Sequence, residues 1–389
     1  MKTDKNLEDL PLSKSNSKAL IDLFGRSDLT PMWIADMEFE IASPIQKALI
    51  DRVSNSGFGY EYKPESFMAS QKKWYKKRYN LELNKGHIVY SPSITTSIAI
   101  IIENFTSKHD GVIIQPPVFM EFRDVIRKTK RNIIKNPLKL VDNHYEIDFN
   151  DLEEKAKNET NKILILCNPH NPVGRVWTKT ELEKITTICN KHGVLLISDE
   201  IHKDIILFNN QFNSALHYSN SLENLIVLTS EAKTFNLAGI SDSMAIIPKE
   251  SLRDSFKKIT QKYNLGTTNV LTRVALEAAY LKGEAWLDNL INTIQFNIVS
   301  LEKELVGSKI KLIKPEGTYQ VWLDFRDVFI DSKEMFEHIT NHSKMALNAG
   351  HWFGREGALF MRMNIASSNK KVIFAIKKIK AAADLVLKK

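Results

Sequence analysis

The chain has 389 residues, of which 43% are hydrophobic and 26% charged. That length and balance exclude a disordered or fibrous protein and favour one large domain with a smaller companion. The net charge of +8 arises from 54 basic and 46 acidic residues, but the lysines are scattered among Asp and Glu, as in DLEEKAKNETNK, and read as a solvated surface rather than a nucleic-acid groove.

The first stretch, residues 1–40, has no strong period and is expected to pack with the small domain. Its opening MKTDKNLEDLPLSKS lacks the apolar core of a signal peptide. A large domain is expected over 41–283. There, short aliphatic runs alternate with segments of helical period: HIVYS before TTSIAIIIENF, GVIIQ before VFMEFRDVIRKT, and KILILC before TKTELEKITTICNKHG, with VLLIS, LIVLT and SMAIIP following. Runs of four to six β-branched and aliphatic residues between such helices predict an α/β domain, a mostly parallel sheet flanked by helices. The longest apolar runs fall far short of a membrane span. From TNVLTRVALEAAYLKG onward two long helices are predicted, and residues 284–389 read as a smaller α+β domain that ends in a helix. Cys167 and Cys189 make no disulfide framework, and the expectation is a cytoplasmic protein without a membrane or nucleic-acid partner.

In parallel sheets the ligand crevice lies at the carboxyl ends of the strands. The runs named above end in Ser91–Thr95, Gln115–Phe119, Asn168–Gly174, Ser198–His202 and Ser230–Lys233. Taken singly, each is ordinary. Asp199 reads as a helix cap, Asn171 as a turn residue between two prolines, Lys233 as a surface lysine, and Arg362 in FMRMNIA as half of an ion pair.

Their order and spacing change that reading: 28 residues from Asn171 to Asp199, then 34 to Lys233. The chain resembles the fold type I pyridoxal-phosphate (PLP) enzymes of the aspartate aminotransferase superfamily. Within it, PMWIADMEF, FGYEY, QPPVF, LCNPHNPVGRVWT, SDEIH, SEAKTFNLAG and FMRMNIA resemble the MalY/PatB group, whose members are largely cystathionine β-lyases and related carbon–sulfur lyases.

The resemblance implies a role for each residue. Lys233 would be the Schiff-base lysine that later moves the Cα proton. Asp199 would face the pyridine nitrogen, Asn171 would donate to the ring oxygen, with a cis bond to Pro172, and Phe119 would stack on the ring. His202 would tune the ring or brace Asp199, a satisfied core histidine being the alternative. Ser93, Ile94 and Thr95 at a strand-to-helix turn, with Ser230, would hold the phosphate, unless Ser93 or Thr95 only caps the helix. Arg362 would clamp the substrate carboxylate beside Ala35. Tyr60 would reach the phosphate of a neighbouring subunit, which makes a homodimer the expected assembly.

The sequence departs from the family pattern in places. Ser241 stands where many members carry a phosphate-binding arginine, Phe119 replaces a frequent tyrosine, and Glu38 replaces the aspartate of ADMDF. The group resemblance favours α,β-elimination of a sulfur amino acid to thiol, pyruvate and ammonia. An aminotransferase would need the same Lys233, Asp199 and Arg362, and a non-catalytic PLP-binding regulator is a third reading.

Overall fold

The computed structural model describes residues 1–3, 10–55, 57–62, 64–240, 242–266 and 268–387; Ser241 lies outside the described residues. Its largest sheet has seven strands: β1 (Ile88–Ser91), β2 (Gly111–Ile114), β3 (Asn132–Lys135), β4 (Asn161–Cys167), β5 (Leu195–Asp199), β6 (Leu225–Thr229) and β7 (Ser243–Ile246). Their spatial order is β1-β7-β6-β5-β4-β2-β3. The ladders from β3 through β6 are parallel, and β7 runs antiparallel to both β6 and β1. The expected mostly parallel sheet is therefore present.

Alternation along each strand feeds two cores, because successive side chains point to opposite faces. In β4, Ile163, Ile165 and Cys167 enter one apolar cluster, while Leu164 and Leu166 enter the other. Burial on both faces explains why these strands read as continuous aliphatic runs. Helices α1 (Ile94–Phe105), α2 (Met120–Lys128) and α3 (Lys179–His192) follow β1, β2 and β4. Helix α3 starts in a capping box: the Thr178 side chain accepts from the Glu181 N–H, and the Glu181 side chain accepts from the Thr178 N–H. Loss of such a cap costs about 1 kcal/mol.

Helices α4 (Val270–Lys282) and α5 (Glu284–Leu305) lead to a second sheet of four strands, β8 (Lys311–Ile313), β9 (Gln320–Asp324), β10 (Asn348–Ala349) and β11 (Phe360–Asn364). These are ordered β8-β9-β11-β10, and helix α6 (Asn369–Leu387) follows. The N-terminal segment crosses between the two sheets. Thr30–Pro31 pairs in parallel with Met345–Ala346, and the Asn364 carboxamide donates to the carbonyls of Ile34 (2.6 Å) and Asp36 (2.5 Å). On its other side, the Met37 N–H donates to Asn236 Oδ1 at 3.0 Å, just beyond the Lys233 turn. No helix among the described residues is long and apolar enough to cross a membrane.

Candidate active site

Parallel strands β4, β5 and β6 end side by side, so their exit turns deliver Asn171, Asp199 with His202, and Lys233 to one end of the sheet. Lys233 lies in the turn after β6 and donates from Nζ to the Ala35 carbonyl at 2.6 Å. Tyr319 OH donates to the same oxygen at 3.0 Å. Burial lowers the Lys233 amine to about 8, with Asp36 raising it, Arg362 lowering it and Asp199 raising it. An amine in this state is largely shielded from water and gives up its proton more readily than an ordinary lysine.

Asp199 ends β5 and is buried. Its Oδ1 accepts from the Ile201 N–H at 3.1 Å, a local turn bond of the kind its sequence context suggests. Burial raises its carboxyl to about 7, against the lowering effects of that N–H and of Lys233. Among the described residues no lysine or arginine forms a salt bridge with it. A buried carboxylate without a cation calls for a protonated partner.

His202 is buried edge-on to Tyr319, with ring centroids 5.9 Å apart, and its Nδ1 has no hydrogen-bond partner among the described residues. Burial holds it neutral, lowering its pKa to about 3, with Lys233 and Arg362 adding to the effect. The expected brace on Asp199 is not formed: among the described residues no hydrogen bond joins the two side chains, because the ring faces Tyr319.

Arg362, on β11, is 3% exposed. It donates from Nη1 to Asn171 Oδ1 (3.1 Å) and from Nη2 to Asn348 Oδ1 (2.7 Å) and the Trp33 carbonyl (2.8 Å). Its guanidinium carbon lies 4.9 Å from the centroid of the Phe353 ring. Among the described residues the buried Nε has no partner and no carboxylate pairs with this cation. The structural ion pair that its sequence context allowed is therefore not present. Burial lowers its pKa to about 9, while Tyr319 raises it. A buried cation that keeps a free donor fits an incoming carboxylate.

The Asn171–Pro172 bond is cis, as expected, and Asn171 accepts at Oδ1 from Arg362, which leaves its amide hydrogens for another acceptor. Ser93 caps α1: its Oγ accepts from the Thr96 N–H at 3.1 Å and lies 3.0 Å from Thr95 Oγ1. Ile94 is the first residue of that helix. The capping alternative for Ser93 is thus realised at the same helix N-terminus that would favour an anion. Ser230 Oγ donates to the Asp242 carbonyl at 2.6 Å, and a buried hydroxyl group of Ser91, Ser97 and Ser243 lies at the β1–β7 end of the sheet. Phe119 is half-buried at the start of α2, edge-on to Phe122. Tyr60 is fully exposed and does not join these residues within the chain.

Sequence reasoning missed Tyr319, Asn348, Ser97 and Ser243. Ser97 had a signal in the repeated hydroxyls of SPSITTS, whereas Tyr319, just before the strand Gln320–Asp324, and Asn348, in a two-residue strand, carry no local sign of a site.

The uncompensated Asp199, the shielded Lys233 amine and the hydroxyl-rich helix start together fit a phosphorylated pyridine aldehyde, and the orphaned Arg362 Nε fits the carboxylate of a substrate beside it. At least one group for each of its charged or polar ends is present.

The sequence profile of the aminotransferase class I and II family matches residues 42–379. Among characterised relatives, cystathionine beta-lyase PatB of Bacillus subtilis (strain 168) is 35% identical over 385 residues, covering 98% of this chain and 100% of the relative. Cystalysin from Treponema denticola, solved with its pyridoxal 5'-phosphate cofactor, superposes with a TM-score of 0.93 at 30% identity, covering 99% of this chain and 98% of that one. The PLP-bound C–S lyase from Staphylococcus hominis superposes with a TM-score of 0.89 at 28% identity, covering 98% and 97%.

Proposed function

The chain belongs to the aminotransferase class I and II family of PLP-dependent fold type I enzymes, and from that premise we propose that it is a carbon–sulfur β-lyase acting on a sulfur amino acid of the cystathionine type. The observation that carries this reading is the buried Arg362 without a carboxylate partner, in the same site as the shielded Lys233 amine. That pairing suits an α-amino acid, with its carboxylate on the guanidinium and its Cα within reach of the lysine.

Bound PLP supplies an aldehyde for the amino group and a conjugated ring that accepts the electron pair released at Cα. Lys233 would hold the aldehyde, and its Nζ would be the base for the substrate Cα proton. Asp199 would hold a proton on the ring nitrogen, the Asn171 amide would donate to the ring oxygen, and Phe119 would pack on the ring face. Ser93, Ile94, Thr95 and Ser230 would line the phosphate at the helix start, and His202 would remain a neutral neighbour of the ring. Arg362 orients the substrate, beside Ala35, whose carbonyl parks the Lys233 amine. In the net reaction the Cα–H and Cβ–S bonds break, the sulfur leaves as a thiol, and the three-carbon enamine takes up water to give pyruvate and ammonia.

The same reading assigns residues 1–40 to a segment packed on the small domain, 41–283 to the large domain and 284–389 to the small one. It also makes the enzyme a homodimer with Tyr60 reaching the neighbouring site. The exposed Phe58, Tyr60 and Tyr62, beside exposed Ile50 and Val53, support such an interface. The two buried free thiols accord with a cytoplasmic enzyme.

Transamination to a 2-oxo acid is the second reading, because the family includes aminotransferases and both reactions use the same residues. The test is incubation of holoenzyme with cystathionine and, separately, with an amino acid plus 2-oxoglutarate. Thiol and pyruvate formed without a keto acid support the lyase; strict dependence on the keto acid overturns it. Borohydride reduction is expected to fix the cofactor on the peptide carrying Lys233, and a labelled peptide lacking Lys233 would refute the lysine's role.

A further inference from the structure

In the turns that carry Asp199, His202 and Lys233 lies a fully buried group of charges that the reaction does not use. Lys203, Asp204 and Glu231 are each no more than 2% exposed. Lys203 and Asp204 follow His202 in the turn after β5, whereas Glu231 precedes Lys233 by two positions in the turn after β6. Lys203 Nζ donates to Glu231 Oε1 at 3.2 Å and to Thr229 Oγ1 at 2.7 Å, and it lies 3.5 Å from Asp204 Oδ2. Asp204 Oδ2 in turn accepts from Thr234 Oγ1 at 2.8 Å. Thr229, Glu231 and Thr234 bracket Lys233 on both sides, so the two residues after His202 hold the segment from which the lysine projects.

The backbone ladder between these strands closes with the Glu200 N–H donating to the Leu228 carbonyl at 2.8 Å. Beyond it, the side-chain bonds of the cluster join the two turns. A second cation borders the group: Arg78 Nε lies 3.9 Å from Asp204 Oδ1, and its Nη1 lies 3.5 Å from Asp288 Oδ1. The Tyr75 and Tyr79 rings lie 5.5 and 6.0 Å from the Lys203 ammonium. Burial opposes that charge, but Glu231, Tyr75 and Asp204 hold the ammonium protonated.

Buried ion pairs of this kind are weak stabilisers compared with apolar residues of the same volume, so stability alone does not account for one here. What the pair supplies is geometry. We infer that Lys203 and Glu231 form a positioning clasp that fixes the turn carrying Asp199 and His202 against the turn carrying Lys233. It thereby sets the spacing between the residues at the two ends of the cofactor ring. The inference rests on the assignment of Lys233 and Asp199 to the cofactor.

The test uses holoenzyme and compares Lys203→Met, Glu231→Leu and the double variant, in which the charges are replaced by apolar groups of similar size. Each single variant leaves one charge unpaired and is expected to lower Tm. In the double variant Tm returns towards the parent value, PLP content is full and borohydride still labels Lys233. Its kcat nevertheless stays roughly 10- to 100-fold low with KM little changed, as expected of displaced reacting groups. The pH midpoint of the bound cofactor's visible absorbance is displaced as well. The charge-conserving Glu231→Asp, which shortens one arm of the clasp, is expected to move kcat and that midpoint in the same direction without loss of fold. Parental kcat and midpoint in a well-folded double variant, or in Glu231→Asp if the double variant fails to fold, would overturn the clasp and leave a packing role. Loss of labelling at Lys233 in the parent enzyme would instead refute the cofactor assignment itself, so the two failures are distinguishable.

Discussion

Arg362 and Asn171 lie 191 positions apart in the chain and share a hydrogen bond, guanidinium Nη1 to carboxamide Oδ1, at 3.1 Å. One side chain stands on a strand of the four-stranded sheet, the other on the turn after a strand of the seven-stranded sheet. The bond indexes the proposed substrate clamp to the proposed ring contact, so a shift between the two sheets would move both. It also orients the carboxamide: with Oδ1 committed to Arg362, the amide hydrogens are left for the ring oxygen.

Substitution of Arg362 by lysine keeps a charge but removes the planar fork that holds Asn171, Asn348 and the Trp33 carbonyl. The expected outcome is a loss of roughly 10²-fold in kcat/KM, about 3 kcal/mol of transition-state binding, carried mainly by KM. PLP content, read from absorbance after dialysis, is expected to change little. An equal loss of cofactor and substrate affinity would contradict the clamp.

The Lys233 amine, lowered by burial from 10.5 to about 8, makes the cofactor-free protein sensitive to alkaline pH. Below about 8 the amine is protonated in both the folded and unfolded chains, and the folded state bears the full cost of the buried cation. Between about 8 and 10.5 the unfolded chain binds more protons than the folded one, so this residue's contribution to stability rises with pH. Lys233→Met in the cofactor-free protein is therefore expected to raise Tm at pH 7, by the equivalent of roughly 3 kcal/mol at most. The gain should shrink to nothing above about pH 10.5, as followed by thermal melts across that range. A gain that does not vary with pH would place its origin in packing rather than charge.

Tyr60 is fully exposed in the single chain, yet its loop is held in place: Glu61 accepts from Arg52 and Arg273, both at 2.7 Å. If the tyrosine serves the neighbouring subunit, Tyr60→Ala and Lys233→Ala should each abolish most activity when alone. Subunits of the two variants, mixed and exchanged, should regain activity, because a heterodimer carries one site with both residues intact. Light scattering of the parent protein is expected to give a dimer mass. Failure of the mixture to recover any rate, in dimers shown to have exchanged, would remove Tyr60 from the partner's site.

Much of the fold was legible because its central strands are buried on both faces. Ile163 through Cys167, or Leu225 through Leu228, can be continuously apolar only in such a sheet. Elements near the edge were harder to read. Asn132–Lys135 is an edge strand with half-exposed residues and no aliphatic run, and the helices Ser43–Ser54 and Glu65–Tyr79 carry mixed faces that hide their period. The antiparallel run of the Ser243–Ile246 strand also has no local signature, since direction depends on where the connecting loop returns.

The residues proposed for PLP chemistry, Asn171, Asp199, Lys233 and Arg362, could be singled out from sequence because each lies at a strand end or in a strand, in an order and spacing that resemble the family's. The chemistry tolerates few substitutes for an amine, a carboxylate and a fork of donors. Lys203 shows the opposite case. In SDEIHK it reads as one more solvated lysine, and only the packing of two turns makes it a buried cation facing Glu231. The same holds for the convergence of Lys233 and Tyr319 on the Ala35 carbonyl, and for the shifts at Lys233 and Asp199. Sequence by itself determined the strand-and-helix pattern, the cofactor class and the residues with the right functional groups. Tertiary structure decided which of those groups meet and which are stripped of water, because contacts across hundreds of positions and desolvation have no counterpart in local sequence.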